Sequence, residues 1–449
     1  MALTAGELKR KLLHIAVGGF AFLLRDLQWP AAALMAVAAF AFIWQLMPRI
    51  GGRGMWREPE HGVGYPLGIL LYPLSVLGLV LVFRHDLWMA AAIWGVLALG
   101  DGMASILGQA MGGPRLPWNA RKGWVGFFAF VVFGTIGAGV LAAWTLRLPV
   151  GAWASPSMLA IVVPLAVICA LVESMPTALD DNLTVPIAGA CVIPLLAVAQ
   201  PALLWGDPGF APRLALGLAI NAAIAAAAWK ARSIDGPGAL SAVVIGTLIT
   251  AALDLAGLAV MVAFFIVGSS ATRVGYRVKA ARGIAQEKGG ARGWRNAWAN
   301  GGVAAGLALM AGFTGGETRA LFVLAYAAAV ATAAADTGSS EIGKAYGRRT
   351  FLITTFRPVP PGTEGAVSLE GTAAGLAAAA IIAGVGAATG LYAPAWAIAI
   401  AAAGLLGSLA ESVIGTVAER RGWLDNDLLN ALNTAIGAGI VLLIARVPA

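Results

Sequence analysis

Apolar runs of transmembrane length follow one another along nearly the whole chain, broken by short stretches where charges, prolines and glycines collect. About 20 consecutive apolar residues suffice to carry a helix across a bilayer core, and runs of this length are too long for strands. Marking each run from one polar break to the next predicts helices over residues 10–25, 29–48, 64–83, 86–110, 124–146, 157–173, 183–200, 213–229, 238–253, 256–271, 297–315, 319–335, 371–390, 394–417 and 428–446. The expected fold is all-α, a polytopic integral membrane protein with about 15 transmembrane helices. The first run directly follows Lys9, Arg10 and Lys11 and lacks a small-residue cleavage site, so it reads as a retained helix. Gly206, Pro208 and Gly209 mark a break between Gln200 and Pro212, giving expected domains at 1–200 and 213–449.

The polar positions inside these runs repeat. Asp101, Ser105, Gly108 and Gly112 recur 235 residues later as Asp336, Ser340, Gly343 and Gly347, and the same offset carries Lys122 onto Arg357. Glu173 and Ser174 recur as Glu411 and Ser412, each followed by an Asp-Asn pair, Asp181-Asn182 and Asp425-Asn426. Corresponding helices are an even number apart, so the two modules are expected to be parallel repeats whose polar motifs converge on one membrane face.

Composition sharpens this pattern. Hydrophobic residues make up 59% of the chain and the mean hydropathy is +0.83, well above a soluble domain. With 12% of residues charged, acids that recur inside apolar sequence point to function. If the N-terminus is cytoplasmic, most of the 30 lysines and arginines fall on inside connections, the positive-inside pattern. The net charge of +8 then reports topology rather than nucleic-acid binding, with some left to attract a nucleotide. The expected location is a membrane such as the bacterial inner membrane. Cys169 and Cys191 suggest neither a disulfide framework nor a zinc site.

Spacings of 4, 7 and 11 place Asp101, Ser105, Gly108 and Gly112 on one helical face. That face offers a carboxylate for magnesium, a hydroxyl, and glycines that let main-chain groups approach phosphates. Arg121 and Lys122 supply cations for charge that develops during phosphoryl transfer. In the second half Asp336, Ser340 and Gly343 recur, Glu341 adds a carboxylate, and Gly362, Thr363, Gly365 and Ser368 lie in a loop that suits a phosphate cradle. Gly338–Lys344 fits a P-loop only superficially, because Ala345 stands where a metal-binding hydroxyl belongs and a helix precedes it.

The clusters Glu173, Asp181, Asn182 and Glu411, Asp425, Asn426 could complete a metal site, orient an acceptor hydroxyl, or cap the helices that restart after them. His14 shares a helical face with Glu7, Arg10 and Lys11 and reads either as an interfacial polar residue or as a ligand contact. Arg273, Arg277, Lys279 and Arg282 suit a headgroup-facing helix or a nucleotide contact.

These residues carry a resemblance. The first 200 resemble the phytol and dolichol kinases, through Glu7-x-x-Arg10-Lys11-x-x-His14, Gly100-Asp101-Gly102-x-Ala104-Ser105, Leu116-Pro117-Trp118-Asn119-x-x-Lys122 and Asp181-Asn182-Leu183-Thr184-Val185-Pro186. The second half, from about Gly238, is similar to the membrane family that includes plant phytyl-phosphate kinase. Its matching residues are Gly238 to Ala242, Asp336-Thr337-x-x-Ser340-Glu341-x-Gly343, Val359 to Thr363 with Gly365, Val367, Ser368, Gly371 and Thr372, and Asp425-Asn426-Asp427. Two positions depart from the pattern: Lys122 to Gly126 lacks a Glu before its last glycine, and Glu411 stands where Asp is usual.

The resemblance implies CTP-dependent phosphorylation of a prenyl alcohol, followed by phosphorylation of the prenyl phosphate to the diphosphate. It implies CTP as phosphoryl donor and Mg2+ as cofactor. The metal would be held by Asp101 and Asp181 in one module and by Asp336 and Glu341 in the other, with Asp101, Lys122, Asp336 and Arg357 catalytic. Nucleotide contacts would come from Ser105, Gly108, Gly112, Asn119, Arg121, Ser340, Gly343, Gly362, Thr363, Gly365 and Ser368. The acceptor would be positioned by His14, Glu173, Asn182, Glu411, Asp425 and Asn426. Internal repeats with intramembrane acids also fit a secondary transporter, and a cytidylyltransferase making a CDP-lipid is a further alternative.

Overall fold

The structure, a computed structural model, describes residues 5–49, 65–286, 292–418 and 422–446. It is mostly helical, and the chain forms two compact units, Met1–Val198 and Ala199–Ala449. Within the first, α1 (Ala5–Gly18), α2 (Trp29–Arg49), α3 (Leu67–Val82) and α4 (Leu87–Met111) precede a hairpin of β1 (Arg115–Leu116) and β2 (Asn119–Gly123). Three further helices follow, α5 (Trp124–Thr145), α6 (Pro156–Ser174) and α7 (Asp181–Val198).

Glycines let α4 and α5 lie almost backbone to backbone. A Cβ on Gly95 would come within 2.4 Å of the Gly137 carbonyl, and one on Gly108 within 3.2 Å of the Gly126 Cα. Helices in lipid associate through such small-residue seams because apolar side chains gain little by leaving lipid for protein. Alongside the seam, α4 carries a π-helical turn over Val96–Asp101, a widening that frequently marks functional sites. It ends on Asp101, which is buried among the helices.

The second unit contains α8 (Pro201–Trp205), α9 (Phe210–Lys230), α10 (Gly236–Arg273), α11 (Tyr276–Ala281), α12 (Trp294–Gly312) and α13 (Gly316–Tyr346). A second hairpin, β3 (Thr350–Leu352) and β4 (Ala366–Ser368), leads into α14 (Leu369–Ala388). The last helices are α15 (Pro394–Ala418) and α16 (Asn426–Ala445). In the centre lies α13, whose residues Phe322 to Ala335 are all buried; this apolar run delivers Asp336 to the unit's interior. The strands pair antiparallel in each hairpin, Leu116 opposite Asn119 and Phe351 opposite Val367.

Among the described residues eleven helices are long and apolar enough to cross a membrane, fewer than the expected 15. By that measure α1 and α3 are too short, and α12 opens on Arg295, Asn296 and Asn300, which makes it too polar. The remaining difference lies in α10, which counts once although the hydrophobic pattern predicts two spans there. Its backbone breaks at Asp254 (φ 57°, ψ −164°), and Gly257 packs back on Leu253 and Ile249.

Candidate active sites

In the first unit, Asp101 leaves α4 at the end of the π-helical turn and meets α1. Lys11 Nζ lies 2.8 Å from Asp101 Oδ2, and His14 Nε2 lies 3.4 Å from the same oxygen. The His14 ring also contacts the Leu97 carbonyl at 3.0 Å and packs edge-on against Tyr72, whose hydroxyl accepts from Trp94 Nε1 at 2.8 Å. The β1–β2 hairpin carries Lys122 to the ends of α6 and α7. Its ammonium donates to Glu173 Oε1 at 2.6 Å and to the Glu173 carbonyl, and it lies 3.5 Å from Asp181 Oδ2. Burial alone would lower the Lys122 pKa, but Glu173 and Asp181 outweigh it and hold the ammonium above its ordinary value.

Asp101, Glu173 and Asp181 thus come together. One carboxylate oxygen from each lies within 4.8 Å of the others, the one such group of three among the described residues. Three hard oxygen donors suit magnesium, whose bonds are about 2.0–2.1 Å long. The oxygens are gathered round one point more loosely than a closed octahedral magnesium shell. Lys11 and Lys122 already neutralise most of the charge, which leaves the cluster near net −1 and able to accept a cation together with its phosphate ligands.

The rest of the expected set is partly assembled around this cluster. Asn119 is buried and donates to the Ser174 carbonyl at 3.0 Å, while its Oδ1 accepts from the Arg121 amide. It therefore ties the hairpin to α6. Arg121 is exposed. Gly108 faces Gly126, so helix contact explains its missing side chain, and Gly112 ends α4 with φ +67°. Asn182 donates to the Gly68 carbonyl at 2.9 Å, and its Oδ1 is buried without a partner among the described residues. Beside it opens an apolar cavity of about 690 Å³, with Lys11, His14 and Asn182 at its polar end and Met35, Ala36, Phe42, Ile43 and Val76 along its walls.

In the second unit a polar cavity of about 290 Å³ is lined by Asp336, Ser340, Gly343, Gly362, Thr363, Gly365, Ser368, Glu411 and Asn426. Asp336 and Glu411 face each other within hydrogen-bond reach, and Asn433 donates to Glu411 from α16. Gly362 and Gly365 have φ of +89° and +73°, a conformation that lets the loop curl over the cavity. Ser368 caps α14, its hydroxyl accepting from Gly371 N at 3.1 Å.

Three expected residues stand elsewhere. Arg357 is exposed and does not line the cavity. The fixed offset slips because the β3–β4 connection is longer than β1–β2: Lys122 sits two residues before α5, and Val367 holds that place before α14. The cation in the cavity wall is Lys344. Glu341 is buried in an ion pair with Lys279, and Asp425 caps α16 through Leu428 N while pairing with Arg295 at 2.8 Å. Lys344 and the Lys11–Asp101 pair escaped sequence reasoning as site elements, although Lys11 shares a helical face with His14.

Residues 219–438 match the family described as Integral membrane protein DUF92. An uncharacterized membrane protein of Synechocystis sp. is 44% identical over 200 residues, 44% of this chain and 78% of the relative. Protein VTE6, chloroplastic, of Arabidopsis thaliana is 38% identical over 218 residues, 47% of this chain and 66% of the relative. Probable phytol kinase 1, chloroplastic, of Glycine max is 30% identical over 205 residues, 41% of this chain and 65% of the relative. The chain thus spans just under two thirds of the length of these last two. No solved structure matches. By its profile match and its likeness to the Synechocystis protein, the chain belongs to the integral membrane protein DUF92 family and is a relative of VTE6 and the phytol kinases.

Proposed function

We propose that this protein is a two-module membrane lipid kinase. The first module phosphorylates phytol or a related prenyl alcohol, and the second phosphorylates the monophosphate to the diphosphate, with CTP as donor and Mg2+ as cofactor. The observation that carries the reading is the Asp101–Glu173–Asp181 cluster, flanked by two lysines, one of which, Lys11, lines an apolar cavity together with His14 and Asn182. Its volume of about 690 Å³ lies within the 300–1,000 Å³ range of small-molecule sites. Likeness to phytol kinases, at about 30% identity, supports the same reaction class.

On this reading the prenyl tail lies along Ala36, Phe42 and Val76 with its hydroxyl between His14 and Asn182. The unpartnered Asn182 Oδ1 accepts a hydrogen bond from the hydroxyl and so orients its oxygen. Lys122, fixed by Glu173 and Asp181, offsets charge on the transferring phosphoryl group. Asp101, Glu173 and Asp181 would hold magnesium, which when bound screens the phosphates. In the second module Asp336, Glu411 and Asn426 take the corresponding places, Lys344 serves as the cation, and the Gly362–Ser368 loop cradles phosphate. The N-terminus and the nucleotide belong on the cytoplasmic side of a membrane such as the bacterial inner membrane.

The test is to incubate purified protein in lipid nanodiscs with labelled CTP or ATP and a panel of prenyl alcohols and monophosphates. Transfer of label to lipid with release of the nucleoside diphosphate is expected. Release of pyrophosphate would instead indicate a cytidylyltransferase, and uptake of labelled solute into proteoliposomes without nucleotide a transporter.

A further inference from the structure

A second cavity in the second unit, about 100 Å³, lies between α9, the two arms of α10 and the start of α12. Its walls are apolar, with Ile224, Ile245, Leu258, Met261 and Phe265 among them, and Arg292 stands in the same lining. The site around this cation is built. Arg292 is strapped to the start of α10 by main-chain hydrogen bonds, Arg292 N to the Ser233 carbonyl at 3.0 Å and Asp235 N to the Arg292 carbonyl at 3.1 Å. The guanidinium packs on the ring of Phe264 at 5.5 Å. Room for it is made by Gly268, where a Cβ would come 2.7 Å from Nη2.

Among the described residues no acceptor hydrogen-bonds this guanidinium, and no carboxylate lies within ion-pair distance. Burial lowers its pKa, and the fields of Glu341 and Asp336 only partly restore it. Two further donors face the same space. The N-terminus of α12 is capped by Gly293 with no side chain, and both Gly293 and Asn296 line the cavity. A helix N-terminus beside a guanidinium is a receptor for phosphate oxygens.

We propose that Arg292 binds the phosphate of an apolar monoester in the second unit, with the chain segment next to the phosphate lying in the cleft between α9, α10 and α12. The inference rests on the kinase reading for the identity of that monoester, a prenyl monophosphate. The cavity is too small to enclose a twenty-carbon chain, so the distal chain leaves between the helices toward lipid.

The experiment uses the full-length protein in nanodiscs, with Arg292→Gln, Arg292→Lys and, to fill the cleft while keeping the cation, Ala242→Phe. Losing one charge-assisted contact corresponds to about a 10- to 100-fold weakening. Arg292→Gln should raise KM for a prenyl monophosphate by that factor with little change in kcat. Arg292→Lys should recover part of the loss, and Ala242→Phe should raise KM likewise. The alcohol step in the same preparations reports that the protein is folded. An unchanged KM, or a fall in kcat alone, overturns the assignment.

Thermal stabilisation by the monophosphate without nucleotide separates this inference from the kinase reading. If the wild type is stabilised and Arg292→Gln is not, the site stands even when no phosphoryl transfer is detected. Equal stabilisation by phosphatidic acid would make the occupant a membrane headgroup, and equal stabilisation by inorganic phosphate would remove the role of the chain. Either result sinks the proposal.

Discussion

Asp101→Asn removes one charge from the first cluster while keeping the size of the side chain. Asp101 is 5% exposed and its partner Lys11 14%, so the substitution strands a buried ammonium that was matched at 2.8 Å. Breaking such a pair typically costs about 3–5 kcal/mol; the asparagine oxygen retains a hydrogen bond, which argues for the lower end. Catalysis should suffer separately. Losing an electrostatic partner of the reacting phosphates is worth about 10²- to 10³-fold in rate, or about 3–4 kcal/mol of barrier. The two effects are separable with Lys11→Met. In the double variant both charges are gone, so thermal stability should return toward wild type while alcohol phosphorylation stays at the Asp101→Asn level. The assay follows label from CTP into prenyl monophosphate and diphosphate, supplying the alcohol and the monophosphate in separate reactions. Monophosphate phosphorylation should be within a few-fold of wild type. If the double variant recovers alcohol phosphorylation, Asp101 acts only as a structural partner of Lys11; if Asp101→Asn abolishes both steps equally in stable protein, separate active sites are wrong.

Asp336→Asn should give the mirror result, loss of the monophosphate step by about 10²-fold or more with the alcohol step retained, measured in the same paired assay. Lys122 has its folded pKa raised above an unfolded value near 10.4, so its charge and its stabilising ion pairs are fully present below that value and lost only as pH rises through the folded pKa. Alcohol-kinase profiles of wild type and Lys122→Arg should therefore have the same shape from pH 6 to 9; a wild-type decline near pH 8 that Lys122→Arg removes would refute this. Ala36→Phe fills the wall of the large cavity, and KM for a twenty-carbon alcohol should rise about tenfold more than KM for a ten-carbon one; an equal change for both would place the tail elsewhere. Chelating divalent ions should abolish both steps, with restoration by Mg2+ but not by Na+ at matched ionic strength.

Much of this was legible because the bilayer simplifies the pattern. Helix positions follow from the apolar runs, and Asp101, Glu173 and Asp181 stand out as acids in apolar sequence; the fold brings them within 4.8 Å. Periodicity could not reveal that the cluster's first counter-charge is Lys11, a residue that also looks like a topology anchor. The pairing depends on α1 crossing α4, a tertiary event with no local signature. Arg357 misled for a related reason. A constant offset assumes equal loop lengths, and the longer β3–β4 connection shifts every residue beyond it. Glu341 lies one residue beyond Ser340, but adjacent helical positions point about 100° apart, which turns it from the Ser340 side toward Lys279.

The two proposed acceptors differ in charge, and the difference can be tested at one position. A prenyl alcohol is neutral, and the first unit meets it with three carboxylates balanced by Lys11 and Lys122, next to an apolar cavity whose free acceptor, Asn182 Oδ1, suits a hydroxyl donor. A monophosphate arrives with negative charge, and each additional carboxylate a few ångströms away would oppose it by about 4 kcal/mol at an effective dielectric of 20. In the second unit Asp336, Glu364 and Glu411 line the cavity with Lys344, and Asn426, the sequence counterpart of Asn182, adds no charge to its wall. Adding an acid by Asn426→Asp should therefore weaken monophosphate binding more than binding of CTP that brings its own magnesium. If KM for the monophosphate is unmoved while KM for CTP rises, Asn426 belongs to the nucleotide side and the charge argument fails.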